Sequence, residues 1–447
     1  MYGFIRDGHP IELVNLRVES RGVTDKPDEP TTALMEEPPD ESLIQDTVMV
    51  HFDWPRRGLI PTPTPVYLRE HLKPGHWIDG PALVVENVST IVLDPGWQLR
   101  VNSRGHLELT RQRGAEREYL DTDCDPVMLE VFNNLFMSVA TQMGETLERV
   151  SHSANIKERL DFSCAVFSPS GELIANAPHI PVHLGAMGES VRAVLEECGP
   201  SMQPGDVYLT NDPYHGGSHL PDITVVQPVY NSEGAVSFIV ANRGHHADIG
   251  GITPGSMPPF SKNIDEEGVI LHNFRLVHDG QLYERELVEA LSVARYPARN
   301  VRERLSDLSA QLAANAAGER LIRTLNGQYG EHVVQAYMEH VKANAAAAMR
   351  DRIRELPDGR FVAEDTLDSG AKIVCTITIE GDHARVDFTG TDPQLEGNLN
   401  APPAVVVAAV LYCFRTLIAK PIPLNAGCLD PIEIVIPEGS LLKPRYP

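Results

Sequence analysis

Two short apolar runs, each ending in a dense group of polar side chains, constrain the fold of this chain more than any other feature. Residues 206–210 and 237–242 have the length and composition of buried β-strands, and each runs directly into His, Asp and Asn residues. The first polar loop spans 211–222 and the second spans 242–251, and Gly and Pro in both allow tight turns. We expect neighbouring strands to bring the two loops face to face.

Imidazole and carboxylate groups dominate both polar loops, and this combination suits a divalent ion. His215 and His219 lie in the first loop, and His245 and His246 lie in the second. With the nearby Asp side chains they offer ligands to Zn²⁺, Mn²⁺ or Fe²⁺ and leave positions open for water or substrate. A lone loop histidine is usually structural, but this grouping favours a metal or catalytic site over a hydrogen-bonded structural network.

The rest of the chain predicts a multidomain α+β protein. Short β-like runs separated by Pro-Gly and Gly-Pro turns occupy residues 48–110, and a polar stretch then ends at Asp125-Pro126, a good helix start. We therefore expect a small N-terminal all-β module, a linker and a larger mixed α/β domain, at residues 1–113, 114–125 and 126–447.

The larger domain shows clear helix and hairpin patterns. Apolar side chains recur at three- and four-residue steps from Met128 to Leu147, which predicts a long amphipathic helix. Residues 284–355 are predicted to be mostly helical, with breaks at Tyr296-Pro297 and Asn326-Gly327. Two hairpins and a buried helix are also predicted, at 163–176, 372–388 and 404–419.

Charge and hydropathy exclude two classes of partner. The chain has 38 Lys+Arg against 62 Asp+Glu, a formal net charge of -24, so the attraction that drives non-specific nucleic-acid binding is missing. The longest apolar run, 404–414, is far shorter than the roughly 20 residues that span a bilayer, and the N-terminus lacks a signal-peptide pattern. We expect a cytoplasmic protein with no nucleic-acid or membrane partner.

The larger domain contains several long, distinctive segments in a fixed order. They are 145–163 (ETLERVSHSANIKERLDFS), 179–188 (HIPVHLGAMG), 205–222 (GDVYLTNDPYHGGSHLPD), 241–250 (ANRGHHADIG), 390–402 (GTDPQLEGNLNAP) and 423–427 (PLNAG). In these segments the chain resembles the hydantoinase B/5-oxoprolinase family, which includes the alpha subunit of acetone carboxylase.

The N-terminal module resembles a different family. Residues 66–69 (VYLR), 80–86 (GPALVVE) and 94–97 (DPGW) are similar to the C-terminal end of hydantoinase A, the partner of hydantoinase B. An A-to-B order is that of single-chain 5-oxoprolinases. The resemblance implies a fragment, with the actin-like ATPase portion of the A family upstream of Met1 and a B-type domain that is incomplete at its C-terminus.

The resemblance also implies a ligand set. In acetone carboxylase-like members the B-type subunit holds Mn²⁺ through a Glu, two His and an Asp. Matched motif by motif, these ligands fall on Glu158, His219, Asp222 and His245, with His246 as the alternative to His245. The identity of the ion is left open among Mn²⁺, Zn²⁺ and Fe²⁺.

Other polar side chains of the loops are candidates for catalysis and substrate binding. Imidazole is favoured for proton transfer because its unperturbed pKa is about 6.5. The sequence does not decide which of the candidates has this role. The catalytic candidates are Asp212, His215, His246 and Asp248. The substrate-binding candidates are Asn211, His183 and Arg243, and His183 is equally compatible with a structural turn.

The resemblance implies an ATP-dependent hydrolase that opens 5-oxoproline or a hydantoin-type ring. A hydantoinase A-type ATPase would consume ATP by phosphorylating the amide oxygen, and this chain would complete the hydrolysis without binding ATP. We expect an oligomer with that partner and no ATP hydrolysis by the isolated chain. The alternatives are an acetone carboxylase-like carboxylation subunit and a non-catalytic fragment.

Overall fold

The computed structural model describes residues 18, 20, 22, 31–35, 37–54, 58–112, 122–177, 179–418 and 424–446. Contacts divide the chain into two compact units, one of Ile11–Leu120 and one that contains Asp121–Pro447. Most of the predicted linker, 114–125, falls outside the described residues. No helix among the described residues is long and apolar enough to cross a membrane.

The unit Ile11–Leu120 is all-β in its described part, apart from short 3-10 turns. Its strands are β1 (Ile44–Trp54), β2 (Gly58–Leu68), β3 (Trp77–Asp79), β4 (Ala82–Val85), β5 (Thr90–Leu93), β6 (Trp97–Val101) and β7 (Leu107–Arg111). They form one sheet of order β1-β2-β4-β5 and another of order β3-β6-β7. Side chains from both sheets, among them Val84 and Leu99, share one buried apolar cluster. The predicted all-β character of this region is confirmed.

Strand β2 is the longer of two strands in this unit, β2 and β3, that the sequence pattern does not predict. Its sequence has prolines at alternate positions, Pro61, Pro63 and Pro65, so their missing N–H groups all lie on one side of the strand. The neighbouring strand β4 pairs only with Val66–Leu68. A strand tolerates proline where one side of its backbone is unpaired, which explains how this segment joins the sheet.

The larger unit contains helices and two further sheets. Its elements are α1 (Pro126–Val150), α2 (Ala154–Lys157), β8 (Phe162–Phe167), β9 (Leu173–Asn176), α3 (Pro181–Cys198), β10 (Val207–Thr210), β11 (Asp222–Tyr230), β12 (Val236–His245), β13 (Phe274–His278), β14 (Gln281–Leu282), α4 (Glu284–Val293), α5 (Val301–Tyr329), α6 (Glu331–Arg354), β15 (Gly359–Thr366), β16 (Lys372–Glu380), β17 (His383–Asp387), α7 (Pro403–Thr416) and β18 (Ile432–Val435).

A seven-stranded antiparallel sheet of order β14-β13-β10-β11-β12-β8-β9 positions the candidate site. Neighbouring residues of a strand point to opposite faces. Leu209 packs in the apolar cluster that contains Leu312 of α5, whereas Tyr208 packs in the one that contains Val191 of α3. Helices therefore cover both faces, which explains why these strands are almost continuously apolar. The smaller sheet has the order β15-β16-β17-β18.

The predicted helices and hairpins of this unit are largely confirmed. Asp125 accepts a hydrogen bond from the Met128 N–H at 2.8 Å, and Pro126 is the first residue of α1. The hairpins β8/β9 and β16/β17 and the buried helix α7 are present. The predicted break at Asn326-Gly327 is wrong, because α5 continues to Tyr329 and the chain turns at Gly330, whose φ of +91° favours glycine.

Candidate metal centre and cavity

The two polar loops meet through strand β11. The predicted strands β10 and β12 are not neighbours, because β11 lies between them and begins at Asp222. Strand β12 also continues beyond Asn242 to His245, which is the register partner of Asp222. Opposite residues of an antiparallel pair project to the same face, so this pairing alone brings an imidazole to the carboxylate.

His219, Asp222 and His245, which we call the central cluster, offer three ligand atoms to one point. Asp222 Oδ1 lies 3.0 Å from His219 Nε2 and 3.1 Å from His245 Nδ1, and the two nitrogen atoms are 3.2 Å apart. A tetrahedral ion with bonds of about 2.0–2.2 Å separates its ligand atoms by roughly 3.4 Å. The donor set of two imidazoles and a carboxylate thus fits a borderline divalent ion.

The protonation state of Asp222 suits the same role. Burial of this side chain raises its pKa, but hydrogen bonds from His183, His219 and His245 outweigh burial and hold the pKa well below its usual range. Burial lowers the pKa of His219, and the hydrogen bond and charge of Asp222 raise it, with a net increase. Asp222 is therefore an anion at neutral pH, as a metal ligand must be.

Two buried side chains hold Asp222 in place. His183, on α3, has its Nε2 3.4 Å from Asp222 Oδ2 and its Nδ1 3.2 Å from Ser163 Oγ. The Ser218 hydroxyl donates to Asp222 Oδ2 at 2.5 Å. The structure places His183 in the first turn of α3 instead of in a loop turn, and there its ring contacts the carboxylate of the central cluster.

Arg243, predicted to bind substrate, is instead fully buried and bonded to hydroxyl groups. Its Nε donates to Thr224 Oγ1 at 2.8 Å, its Nη2 to Ser190 Oγ at 2.8 Å and its Nη1 to Ser218 Oγ at 3.3 Å. Burial lowers the pKa of Arg243 to about 10, so the guanidinium stays charged at neutral pH. Ser218 accepts from this cation and donates to Asp222 Oδ2, so it connects the guanidinium to the Asp222 carboxylate.

The structure does not bring Glu158 into the central cluster. Glu158 follows the last residue of α2 and its side chain is exposed. Besides Asp222, the Asp161 carboxylate lies close to two of the histidines, with Oδ2 3.9 Å from His245 Nδ1 and Oδ1 3.9 Å from His183 Nε2. The sequence signal for Asp161 is its position directly before β8, whose first residue pairs with Gly244 beside His245.

Asn211 has a structural environment instead of the predicted substrate contact. Its Nδ2 donates to the carbonyl groups of Leu220 and Val269 at 2.8 and 2.9 Å, and its Oδ1 accepts from the Leu271 N–H at 2.7 Å. The side chain is fully buried. Asn211 therefore fastens the first polar loop to the segment that precedes β13.

His246 and Asp248 also differ from their predicted catalytic roles. His246 is fully buried with its Nε2 3.0 Å from Gln311 Oε1, and burial lowers its pKa to about 4. Asp248 accepts hydrogen bonds from the N–H groups of Gly250, Gly255 and Arg299 and pairs with the Arg299 guanidinium at 3.0 Å. A buried neutral imidazole and a saturated carboxylate are poorly suited to exchange protons with a substrate.

Asp212 and His215, the other catalytic candidates, form a second group with His272. We call these three residues the outer cluster. Asp212 Oδ2 lies 2.8 Å from the Nδ1 atoms of both His215 and His272. His272 was not predicted, because it follows an apolar run far along the chain and no local pattern links it to the polar loops.

A cavity of about 830 Å³ opens beside the central cluster and is lined by Tyr214, Ser218, His219, Lys262 and Glu267, among others. Burial raises the pKa of the Glu267 carboxyl, although a hydrogen bond from the Ser261 hydroxyl opposes that effect. A carboxyl group with a raised pKa on the wall of a cavity is a candidate proton donor, and sequence patterns do not single it out.

Fold and site together define an α+β protein with a candidate divalent-metal centre beside a ligand-sized cavity. A model of the hydantoinase B/oxoprolinase family matches residues 125–447, and the chain belongs to this family. The family resemblance seen in the motifs is thereby confirmed. The A-type resemblance of the first 113 residues stays a prediction.

The chain is similar to two curated 5-oxoprolinases. It is 43% identical to 5-oxoprolinase 1 of Arabidopsis thaliana over 470 residues, which cover 99% of this chain and 36% of the relative. It is 45% identical to 5-oxoprolinase of Dictyostelium discoideum over 393 residues, which cover 86% of this chain and 31% of the relative. The chain thus spans about a third of the length of these relatives.

Two solved structures resemble the chain. An ATP-dependent caprolactamase from Pseudomonas jessenii matches with a TM-score of 0.66 at 29% identity, covering 72% of this chain and 56% of that chain. A nucleotide-free acetone carboxylase matches with a TM-score of 0.63 at 18% identity, covering 72% of this chain and 44% of that chain. The second likeness is one of fold alone.

Proposed function

We propose that this chain is the hydrolytic part of an ATP-dependent cyclic amidase that opens 5-oxoproline or a hydantoin-type ring. The observation that carries the proposal is the central cluster at the wall of a cavity, in a chain 43% identical to a 5-oxoprolinase over nearly its whole length. The likeness to an ATP-dependent caprolactamase supports the same class of substrate, a ring closed by an amide bond.

His219, Asp222 and His245 would hold a divalent ion, with Mn²⁺, Zn²⁺ and Fe²⁺ as the candidates. A bound ion of this kind lowers the pKa of a coordinated water towards about 7 and polarises the reacting carbon. Asp222 contributes the negative charge of the ligand set because its pKa is held well below the usual range. His183 and Ser218 keep the Asp222 carboxylate oriented.

The cavity supports a small anionic ring as substrate. Its volume of about 830 Å³ lies within the range of roughly 300–1,000 Å³ typical of ligand pockets. Lys262 is a cation on the cavity wall and suits the carboxylate that 5-oxoproline carries. Glu267, with its raised pKa, is the proton donor that we propose for the nitrogen leaving the opened ring.

An unstrained amide is a poor electrophile, so hydrolysis needs an activation step. We propose that a hydantoinase A-type ATPase domain or subunit consumes ATP to phosphorylate the amide oxygen, and that the isolated chain hydrolyses no ATP. The likeness to an ATP-dependent caprolactamase supports an ATP-consuming activation step. The carboxylation alternative has only a likeness of fold, at 18% identity, in its support.

The test combines the purified chain with a hydantoinase A-type ATPase subunit, ATP, Mn²⁺ or Zn²⁺, and 5-oxoproline. We expect glutamate to form, and His219→Ala to abolish its formation. His332→Ala is the matched control, because His332 is exposed on α6. Equal glutamate formation by the wild type and His219→Ala would refute the proposed site.

Two further variants refine the assignment. Glu267→Gln is expected to slow ring opening while the metal content stays the same, because an amide cannot donate a proton as a carboxylic acid does. Glu158→Gln tests the ligand that the family resemblance implies. A loss of metal as large as that in His219→Ala supports Glu158, and an unchanged metal content excludes Glu158 from the ligand set.

A further inference from the structure

The outer cluster lies on two segments that are fastened together. Asp212 and His215 belong to the first polar loop, and His272 belongs to the segment that precedes β13. Asn211 joins these segments, because its backbone N–H donates to the Leu271 carbonyl at 3.2 Å and its Oδ1 accepts from the Leu271 N–H at 2.7 Å. The buried amide thus fixes the positions of residues on either side of the cluster.

Within the cluster a single carboxylate oxygen faces two imidazole nitrogens. Asp212 Oδ2 lies 2.8 Å from His215 Nδ1 and 2.8 Å from His272 Nδ1. The other oxygen, Oδ1, accepts from the Tyr214 N–H at 2.9 Å, which fixes the rotation of the carboxylate. The two rings stand edge to face with centroids 4.7 Å apart. This convergence needs positive charge between the groups, either as protons or as a cation.

Both ring nitrogens of His272 face a carboxylate oxygen. Glu197 Oε2, at the C-terminal end of α3, lies 2.6 Å from His272 Nε2 and also accepts from Asn273 Nδ2 at 2.7 Å. Both carboxylates can only accept and a neutral imidazole has one N–H, so one of the two carboxylates would face a ring lone pair. A second proton on the ring or a cation beside Nδ1 removes that conflict, and with the N–H on Nε2 the Nδ1 lone pair is free to bind a cation shared with Asp212.

A carboxylate that accepts from the far nitrogen of a histidine is the usual companion of a metal-bound imidazole. We propose that the outer cluster is a second divalent-cation site, with Asp212, His215 and His272 as ligands and Glu197 as the group that orients His272. Two imidazoles and one carboxylate suit Zn²⁺ and leave a position open for water. His215 is exposed, so an ion reaches the site from solvent.

This site differs from the central cluster but shares a loop with it. Gly216 lies in the loop between His215 and His219. Its carbonyl accepts from the Ser190 hydroxyl at 2.6 Å, and its φ is +86°. The hydrogen bond from Ser190 therefore holds the loop at a point between the two clusters. An ion in the outer cluster fixes the part of the loop that contains His215, and the central cluster fixes the part that contains His219.

The experiment measures the number of Zn²⁺ ions bound per chain. The chain is stripped with chelator, dialysed against Zn²⁺ at pH 7.5, and assayed for bound zinc by elemental analysis. We expect two ions in the wild type, one in His215→Ala, one in His272→Ala, one in His219→Ala and none in the His219→Ala/His272→Ala double variant. His215→Ala is included because an exposed loop side chain can be removed without disturbing packing.

The same assay can overturn the proposal. If the wild type binds one ion and only His219→Ala loses it, the outer cluster is a protonated hydrogen-bonded group and the proposal fails. If His219→Ala retains both ions, the central site fails instead, so the two conclusions are tested separately. Glu197→Gln is expected to weaken zinc binding at the outer site by about 10–100-fold, and Glu196→Gln, an exposed neighbour, is expected to leave it unchanged.

Discussion

Asp222→Asn is the substitution whose effect the structure defines most closely. Asp222 is 2% exposed and its carboxylate is shared by His183, His219 and His245, with Ser218 as a further donor. Removing one partner of a buried ionic arrangement costs about 3–5 kcal/mol. Because asparagine still accepts a hydrogen bond, we expect the lower figure, about 3 kcal/mol, or a factor of about 10² in the unfolding equilibrium.

The assay must report on the larger unit. All three tryptophans, Trp54, Trp77 and Trp97, lie in the unit Ile11–Leu120, so tryptophan fluorescence reports on that unit. Hydrogen exchange of the β11 and β12 amides, followed by mass spectrometry in the metal-free protein, measures the relevant stability. Protection of these amides is expected to fall about 10²-fold in Asp222→Asn.

Asp206→Asn is the matched control. Asp206 is also a fully buried aspartate and pairs with a histidine, His278, at 2.6 Å. We expect both variants to lose stability, but only Asp222→Asn to lose the zinc that His219→Ala loses. The reasoning is refuted if Asp222→Asn keeps its full zinc content, or if Asp206→Asn loses the same ion.

Three further predictions follow from the same geometry. In the metal-free protein the raised pKa of His219 stabilises the fold below about pH 6.5, and this contribution is lost as the pH rises through the folded-state pKa. The melting midpoint should therefore fall more between pH 6 and pH 8 in the wild type than in His219→Gln. Asp161→Asn should weaken zinc binding at the central cluster about 10–100-fold in an equilibrium titration, because the negative charge of Asp161 Oδ2 lies 3.9 Å from His245 Nδ1, the ligand atom. Gly216→Ala should lower the melting temperature, because an added Cβ would lie 2.5 Å from the Glu189 backbone at a φ of +86°; an unchanged value contradicts the tight turn.

Local patterns predicted most of the helices, hairpins and strands. The helix from Asp125 onward was predictable because its cap, its first-turn proline and its apolar period all act within a few residues. Strand β2 was missed because proline usually excludes a strand, and only the partial pairing of β4 explains its place. Strand β11 was missed because the expected neighbours were the two strands that lead into the polar loops.

Sequence patterns likewise identified some residues of the candidate site and misjudged others. His219, Asp222 and His245 were candidates from the sequence because they lie in two short polar segments of recognisable chemistry and family pattern, and the structure brings their ligand atoms together. Asn211, His246 and Asp248 lie in the same segments, and the last two have the same residue types, yet their side chains bond to the backbone, to Gln311 and to Arg299. Residue type and spacing do not distinguish a free imidazole or carboxylate from one saturated by the core.

The amino-acid sequence by itself determined the family, the all-β module, the mixed larger domain and the two polar loops that carry the candidate metal ligands, because these follow from local periodicity and contiguous motifs. Only the tertiary structure decided which side chains meet. The register of β11 against β12 pairs Asp222 with His245, and the Asn211 contacts bring His272 beside Asp212. Such contacts join residues distant in the chain, and their energy depends on burial and hydrogen-bond geometry that no local pattern contains.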